Sequence, residues 1–304
     1  MENQPRLASV QCLHPGGLHR LAYWEWGEPD GDDVVVCVHG LTRQGRDFDV
    51  LAQALQSNRR VVCPDLPGRG ESDWLDNPAL YQVPQYLADL VTLLARLRAR
   101  RLSWVGTSLG GLIGIALAGL RHSPIQRLVL NDVGPALDPR GLMRIASYVG
   151  RQMRFDTPEQ AAASLREISE GFGSHTPAQW MALTRPMLRP EGQGWRLHYD
   201  PALSQPFTAP SAQAMAAGEI ALWQAYAQIT APTLVLRGAD SDILSVQTTQ
   251  TMALQGPKAR VVELPGVGHA PTLVQDDQVR IVRDFLALLN VFVVLYESTF
   301  SYGA

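Results

Sequence analysis

The stretch LSWVGTSLGGLIGIALAG, residues 102–119, decides the fold class of the chain. An apolar run ends at Gly106, and a helical pattern begins directly after Ser108. Glycine on both sides of the serine removes the Cβ atoms that would clash in a very tight strand-to-helix turn. The pattern G-x-S-x-G in this setting predicts that Ser108 is exposed at the tip of the turn as a nucleophile. The alternative interpretation is a glycine-rich loop in which Ser108 only caps the helix.

Short apolar runs alternate with helical patterns along most of the chain. Runs typical of strands covered on both faces occupy residues 34–38, 59–63, 102–106, 126–131, 232–238 and 259–266. Helical patterns occupy residues 48–55, 84–98, 109–121, 246–254 and 275–289. Residues 7–13 and 18–26 have the partial alternation of a β-hairpin. This order predicts an α/β protein with a mostly parallel, eight-stranded sheet that is flanked by helices and built with right-handed crossovers.

The alternation stops between residues 134 and 230. This segment contains helical stretches that are divided by Pro and Gly, and it is too long for a simple loop. We therefore predict a core formed by residues 1–133 and 231–290, with a helical cap at residues 134–230 inserted after the sixth strand. Residues 291–304 form an apolar tail whose structure the sequence leaves open. It could pack on the body of the protein or pair with another subunit.

The composition and charge argue against several classes of function. The formal net charge of −3 gives no electrostatic basis for binding nucleic acid or an anionic membrane surface. The first residues lack a secretory signal, which favours a cytoplasmic location, and no run approaches the roughly 18 apolar residues that cross a bilayer. Cys12, Cys37 and Cys63 lack metal-ligand spacing, and no dinucleotide or metal motif occurs. We therefore expect no cofactor, no metal, no nucleic acid and no membrane partner.

A serine hydroxyl becomes a good nucleophile only when a base accepts its proton. In an open α/β sheet, reacting groups gather beyond the carboxyl ends of the strands. Among the seven histidines, His269 lies in a glycine-containing loop directly after the last predicted strand, at the same edge as Ser108. We therefore predict that His269 is the base for Ser108.

The histidine in turn needs an acid that holds its tautomer and stabilises the imidazolium. Asp240 and Asp242 both follow the strand at residues 232–238. We predict Asp242 because it lies deeper in the loop, just before the next helix. Asp240 stays open as an alternative, and Asp132, after the preceding strand, is a less favoured one.

Two further groups of residues are predicted to act on the substrate. The oxyanion needs fixed donors, and we predict the backbone N–H groups of Leu41, after the strand that ends at His39-Gly40, and of Leu109, at the start of the helix. In the inserted segment, Trp195, Tyr199 and Trp223 are the predicted lining of an apolar substrate pocket.

Five motifs occur in one order along the chain. They are VVVCVHGLTRQGRDFDVLAQAL (34–55), VVCPDLPGRGESD (61–73), WVGTSLGG (104–111), TLVLRGADSD (233–242) and LPGVGHAP (264–271). Together they resemble the α/β-hydrolase superfamily from about residue 18 to residue 289. Haloalkane dehalogenases and epoxide hydrolases carry an aspartate where this chain has Ser108. The resemblance therefore implies a serine hydrolase, such as a carboxylesterase, an enol-lactonase or a C–C hydrolase of ring-cleavage products.

We expect a serine hydrolase that cleaves carboxylic esters of small to medium, largely apolar substrates through an acyl-enzyme. Its expected partner is a small-molecule ester, and the sequence leaves a homo-oligomer open. Cleavage of an enol-lactone or a C–C bond by the same residues is the alternative. A non-catalytic ligand-binding role is less favoured, because binding alone does not require a serine, an aspartate and a histidine together.

Overall fold

The computed structural model describes residues 4–207 and 212–288 of the chain. The strands in these ranges are β1 (Arg6–His14), β2 (Gly17–Trp26), β3 (Asp33–Val38), β4 (Arg60–Pro64), β5 (Arg101–Thr107), β6 (Ile125–Asn131), β7 (Arg154–Phe155), β8 (Leu188–Glu191), β9 (Gly194–Leu197), β10 (Thr233–Gly238) and β11 (Arg260–Leu264). The α-helices in the same ranges are α1 (Asp49–Leu55), α2 (Val83–Leu97), α3 (Leu109–Ala118), α4 (Pro139–Tyr148), α5 (Pro158–Ile168), α6 (Pro177–Thr184), α7 (Ala212–Gln228), α8 (Val246–Leu254) and α9 (Asp276–Ala287). None of these helices has both the length and the apolar character needed to span a bilayer.

Eight of the strands form one sheet in the order β1-β2-β4-β3-β5-β6-β10-β11. The pairings of β1 with β2 and of β2 with β4 are antiparallel, and the other five are parallel. The prediction of a mostly parallel, eight-stranded sheet flanked by helices is therefore confirmed. The strands expected from the sequence differ from the observed bounds by at most two residues at either end.

The central strands are apolar throughout because the sheet is covered on both faces. In β3, Val34, Val36 and Val38 pack in one apolar core, whereas Val35 and Cys37 pack in the other. Successive side chains of a strand point to opposite faces. Helices α2 and α3 contribute to the first core, and α1 and α9 contribute to the second. A strand between two such layers needs an apolar residue at every position.

The turn from β5 to α3 depends on small residues at its crowded positions. Ser108 has a φ of 51°, a left-handed value that lifts the serine to the tip of the turn. A Cβ on Gly106 would lie 2.3 Å from the carbonyl oxygen of Gly110. A Cβ on Gly110 would lie 2.0 Å from the carbonyl oxygen of Val38 in β3. The glycines therefore let α3 begin directly against the ends of two strands.

The segment between β6 and β10 contains strands as well as helices. Strands β7, β8 and β9 form a separate antiparallel sheet in the order β7-β9-β8. The prediction of a helical cap missed this sheet, because strands of two to four residues are too short to show an alternating pattern. Helix α7, also within predicted cap residues 134–230, contacts α3 beside the main sheet. The predicted tail, residues 291–304, lies outside the described residues.

We expect the two substitutions Gly110→Ala and Gly218→Ala to change stability in opposite directions. The first places a methyl group against the backbone of β3 and should lower the free energy of unfolding by about 3 kcal/mol. The second adds a methyl group in α7 with nothing within 4 Å, and it should raise that free energy by roughly 0.5–1 kcal/mol because alanine is the better helix former. Urea denaturation of both variants measures the two changes in the free energy of unfolding. Equal changes would contradict the packing described for the turn.

Candidate active site

The backbone around Ser108 is fixed by hydrogen bonds on both sides of the turn. The N–H of Ser108 donates to the carbonyl of Asn131 at the end of β6 (3.1 Å). Its own carbonyl accepts from the N–H groups of Gly111 (2.8 Å) and Leu112 (3.1 Å) in α3. The serine is therefore held at the carboxyl edge of the sheet with its left-handed φ in place.

Three side chains meet in one hydrogen-bonded series at this edge. The Oγ of Ser108 lies 2.9 Å from Nε2 of His269, and Nδ1 of the same ring lies 2.8 Å from Oδ2 of Asp132. Ser108 follows β5, Asp132 follows β6, and His269 lies in the loop after β11. The structure therefore brings the predicted Ser108 and His269 together, as their positions after parallel strands required.

Asp132 is fully buried and is held by several donors. Its Oδ1 accepts from the N–H of Gly238 (2.8 Å), and its Oδ2 also accepts from the hydroxyl of Ser241 (2.6 Å). The N–H of Asp132 itself donates to the carbonyl of Leu236 in β10 (2.8 Å). A buried carboxylate is stable only when its oxygens are satisfied in this way. These bonds orient Asp132 toward His269.

The prediction that Asp242 orients His269 is wrong. The carboxylate of Asp242 accepts two hydrogen bonds from Arg144, at 2.5 Å from Nε and 2.8 Å from Nη2, and these bonds lower the pKa of Asp242. The alternative, Asp240, has an exposed side chain. The loop after β10 directs Ser241 toward the site, so its neighbours on either side face elsewhere.

Two positioning residues were not identified from the sequence. Ser241 contacts Asp132, and Asn131 donates from Nδ2 to Oγ1 of Thr107 (2.9 Å) and to the carbonyl of Pro271 (2.8 Å). Asn131 is fully buried and so links the end of β5 to the loop that carries His269. The sequence signal for both was their place at strand ends, in LVLND and RGADSD.

The loop after β3 is held by a buried histidine. Nδ1 of His39 donates to the carbonyl of Gly40 (2.7 Å), and Nε2 accepts from the N–H of Leu66 (2.9 Å). Both bonds require a neutral ring with its proton on Nδ1. Burial lowers the pKa of His39 to about 3, and the charge of Arg69 adds to this shift. The ring therefore stays neutral near pH 7 and acts as a structural link.

The two predicted oxyanion donors belong to the loop after β3 and to the start of α3. Leu41 lines the cleft beside the serine, and its carbonyl accepts from Nε of the fully buried Arg69 (2.7 Å). Leu109 is the first residue of α3, and the first N–H groups of a helix have no acceptor within the helix. A Cβ on Gly40 would lie 3.6 Å from Cβ of Ser108. The oxyanion role of Leu41 and Leu109 stays a prediction.

A cleft of about 1060 Å³, part of it open to solvent, contains Ser108 and His269. The inserted segment supplies much of its apolar wall, namely Met153, Leu165, Ile168, Phe172, Leu183 and Met187. Tyr199 also lines this cleft, as predicted. Trp195 and Trp223 do not line it, so their prediction as pocket residues is wrong.

Both tryptophans have partners elsewhere in the fold. Trp195 lies in β9, where it pairs with Phe155 on one side and Pro190 on the other. Trp223 packs edge-on against Tyr226, at 5.9 Å between ring centroids, in the helix that contacts α3. These two tryptophans therefore stabilise the inserted segment and its contact with the core, whereas the cleft is lined by aliphatic residues together with Tyr148, Phe172 and Tyr199.

Two arginines line the cleft, and each has its own carboxylate partner. Arg43 donates to both oxygens of Asp47, at 2.6 and 2.7 Å, and to the carbonyl of Leu183 (3.1 Å). Arg144 is paired in the same bidentate way with Asp242. The positive charges of this cleft are therefore balanced one to one.

One group of possible metal ligands lies away from the cleft. Cys12, His19 and Asp89 are buried with their ligand atoms within 4.8 Å of one another. Burial raises the pKa of Cys12 to about 12, so its thiol stays protonated. Nε2 of His19 lies 3.1 Å from Oδ2 of Asp89. We interpret the group as a buried histidine–aspartate pair that holds the β1–β2 hairpin on α2, because a structural zinc site needs four ligands.

The fold and the arrangement of residues at the strand ends point to one class of protein. Sequence comparison identifies that class. The family model for the alpha/beta hydrolase family matches residues 35–283. The chain belongs to the alpha/beta hydrolase family, and it is a hydrolase.

Relatives match over nearly the whole chain. A 3-hydroxybutyrate-oligomer hydrolase of Cupriavidus necator is 51% identical over 289 residues, which cover 94% of this chain and 99% of the relative. The esterase YbfF of Escherichia coli is 25% identical over 264 residues, 83% of this chain and 92% of that protein. Among solved structures, an alpha/beta hydrolase of Novosphingobium aromaticivorans is 37% identical with a TM-score of 0.83, covering 94% of this chain and 99% of that one.

We expect His39 to make the protein less stable as the pH falls below about 6.5. Below that pH the His39 ring of the unfolded chain takes up a proton, whereas the ring in the folded protein stays unprotonated down to about pH 3. Protonation therefore stabilises the unfolded state relative to the folded state. One such proton contributes a slope of about 1.4 kcal/mol per pH unit within this window. Urea denaturation between pH 4.5 and 6.5 should give a shallower pH dependence for His39→Gln than for the wild type. Equal slopes would contradict this role of His39.

Proposed function

We propose that this protein hydrolyses carboxylic esters through an acyl-enzyme, with Ser108 as nucleophile, His269 as base and Asp132 as the acid that orients it. The observation that carries the proposal is the series of two short hydrogen bonds from Ser108 through His269 to Asp132. A serine, a histidine and a buried carboxylate in this order can activate a hydroxyl at neutral pH. The esterase and oligomer hydrolase among the relatives support ester bonds as the target.

The proposed reaction has two halves. Oγ of Ser108 attacks the ester carbonyl carbon while its proton passes to Nε2 of His269. The tetrahedral intermediate then expels the alcohol, which takes the proton from Nε2 and leaves the acyl group on Ser108. Water, deprotonated by His269, attacks the acyl carbonyl and releases the carboxylic acid. Asp132 keeps the other ring proton on Nδ1 and stabilises the imidazolium in both halves.

The negative oxygen of each intermediate needs donors that are in place beforehand. We assign this role to the N–H groups of Leu41, in the loop after β3, and of Leu109, the first residue of α3. His39 supports the assignment because its bond to the carbonyl of Gly40 fixes the peptide group that contains the N–H of Leu41. Loss of one such donor typically lowers the rate by about a hundred- to a thousandfold.

We propose oligoesters of short hydroxy acids as the substrate class. The relative of Cupriavidus necator, which shares 51% of its residues with this chain, is a 3-hydroxybutyrate-oligomer hydrolase. The aliphatic wall around Ser108 suits the short methyl-branched acyl units of such an ester. In this proposal residues 134–230 act as the cap, because they supply most of that wall.

Replacing the nucleophile should abolish turnover without affecting folding. We expect Ser108→Ala to hydrolyse p-nitrophenyl butyrate at least about a thousandfold more slowly than the wild type, because no other group can form the acyl-enzyme. Initial rates measure the loss, and thermal denaturation checks the fold. Ser57→Ala, at an exposed serine after α1, is the matched control and should keep full activity. Hydrolysis by Ser108→Ala at the wild-type rate would contradict the proposed mechanism.

Two aspartate variants distinguish the acid. Asp132→Asn should lower kcat/KM for p-nitrophenyl butyrate by about a thousandfold or more, because an amide cannot stabilise the imidazolium and favours the wrong tautomer. Asp242→Asn breaks a half-exposed ion pair with Arg144, and it should lower kcat/KM by less than about tenfold. A larger loss of kcat/KM in Asp242→Asn than in Asp132→Asn would assign the role of the acid to Asp242.

A further inference from the structure

A second cleft lies next to the first on the inserted segment. It has a volume of about 500 Å³, part of it open to solvent, and Met153, Leu197 and Tyr199 line both clefts. These three residues therefore form a boundary that the two clefts share. A substrate longer than one acyl unit that reacts at Ser108 has this second cleft as a neighbouring space to occupy.

Arginines are placed side by side across the small sheet, and two of them, Arg154 and Arg196, line this cleft. Arg154 of β7 lies directly opposite Arg196 of β9, and Arg189 of β8 lies opposite Arg196 from the other side. Residues directly opposite in antiparallel strands point to the same face, with Cβ atoms about 5 Å apart. Like charges in this position destabilise a sheet. Three arginines stand in one row despite this cost. Their presence therefore indicates that positive charge has a function here.

The carboxylates nearby do not balance these charges. Glu191 is shared by Arg154 (2.8 Å) and Arg196 (3.4 Å), while Glu71 pairs with Arg189. Arg151, which also lines the cleft, forms no ion pair with a carboxylate within residues 4–207 and 212–288.

Three arginines therefore line the cleft with one glutamate, Glu191, which leaves a surplus of two positive charges. The cleft at Ser108 differs, because each of its arginines has its own aspartate. An anionic group would therefore find unmatched guanidinium groups only in the second cleft of the two.

Trp74 gives this cleft a flat apolar wall. The guanidinium of Arg196 lies over the indole ring, 5.7 Å from its centroid, and the tryptophan is 38% exposed. Contact with an aromatic face orients a guanidinium while leaving its N–H edge available for a carboxylate. The cleft thus combines a fixed cation with an apolar surface, which suits the acid end of a short aliphatic chain.

We propose that Arg151, Arg154 and Arg196, together with Trp74, form a subsite for the terminal carboxylate of an oligoester whose reacting carbonyl lies at Ser108. This inference rests on the proposed function. A linear oligomer of a hydroxy acid has a hydroxyl at one end and a free carboxylate at the other. The carboxylate belongs to the alcohol side of the bond that is cleaved. The subsite therefore binds the leaving group, and the acyl group on Ser108 carries the hydroxyl end.

The reaction balances with water as the only co-reactant. The C–O bond between the acyl carbon and the hydroxy-acid oxygen breaks, and that oxygen takes the proton held by His269. The shortened hydroxy acid leaves with its carboxylate still ionised. Water then supplies one hydroxyl to the acyl carbon, and its remaining proton returns through His269 to Ser108. No charge is created at the arginines during these steps, so their role is binding.

The test compares two substrates that differ only in this charge. We expect the wild type to hydrolyse the linear 3-hydroxybutyrate trimer as free acid with a kcat/KM about tenfold higher than its methyl ester, the effect of one solvent-exposed charge-assisted contact. The preference for the free acid should appear as a lower KM. It should decrease as the NaCl concentration rises from about 0.05 to 0.5 M, because salt screens exposed charges. Equal kcat/KM values for acid and ester would overturn the subsite.

Variants assign the preference to these residues. The double variant Arg154→Gln/Arg196→Gln should bring the ratio of acid to ester close to one, while Arg196→Lys should keep part of it because the charge remains. Arg121→Gln removes an exposed arginine that lines neither cleft and is the matched control, with an unchanged ratio. Thermal denaturation confirms that each variant is folded. A double variant that keeps the wild-type ratio would refute the assignment.

A binding measurement separates this inference from the proposed function. Calorimetric titration of Ser108→Ala with the free-acid trimer requires no turnover. We expect binding that weakens about tenfold when Arg154→Gln/Arg196→Gln is added and that is weaker for the methyl ester. If p-nitrophenyl butyrate is not hydrolysed, the proposed function fails, and this titration still decides the subsite. If simple esters are hydrolysed but the trimer binds equally with and without the arginines, only the subsite is wrong.

Discussion

The buried carboxylate of Asp132 is the group on which the arrangement of the site depends. It accepts hydrogen bonds from the ring of His269, the hydroxyl of Ser241 and the backbone N–H of Gly238. Removing a charged group from water is costly unless its oxygens find donors in the protein. These donors come from the end of β10 and from the loops after β10 and β11. Satisfying one buried charge therefore fixes two loops relative to β6 and places His269 beside Ser108.

The sequence was sufficient for the sheet and for two of the three residues in the series. Ser108 and His269 follow parallel strands, and the ends of such strands meet at one edge whatever the details of the loops. The carboxylate partner of His269 was different, because Asp132, Asp240 and Asp242 all follow strands at that edge. Only the path of the backbone after β10, which turns Ser241 inward, decides which carboxylate faces the ring. A local pattern of residues contains no information about that path.

The lining of the cleft was harder to predict for a related reason. Trp195 and Trp223 are predicted pocket residues because large aromatic residues in an inserted segment suit an apolar pocket. The segment, however, has to stabilise itself, and its small sheet and α7 use these rings for packing. Short strands rich in arginine, such as those containing Arg154 and Arg196, have no alternating apolar pattern. Their pairing, which creates the second cleft, follows from tertiary contacts.

The inserted segment is also hydrogen-bonded to the loops that carry His269 and Arg43. The N–H of Gly268, next to His269, donates to the carbonyl of Gly171 (2.7 Å), and Arg43 reaches the carbonyl of Leu183. Movement of the segment would therefore break the hydrogen bond next to His269 as well as the one from Arg43 to Leu183. It follows that the segment is a wall of the site whose position is tied to His269. A molecule that binds against this wall consequently binds where His269 already has a fixed position.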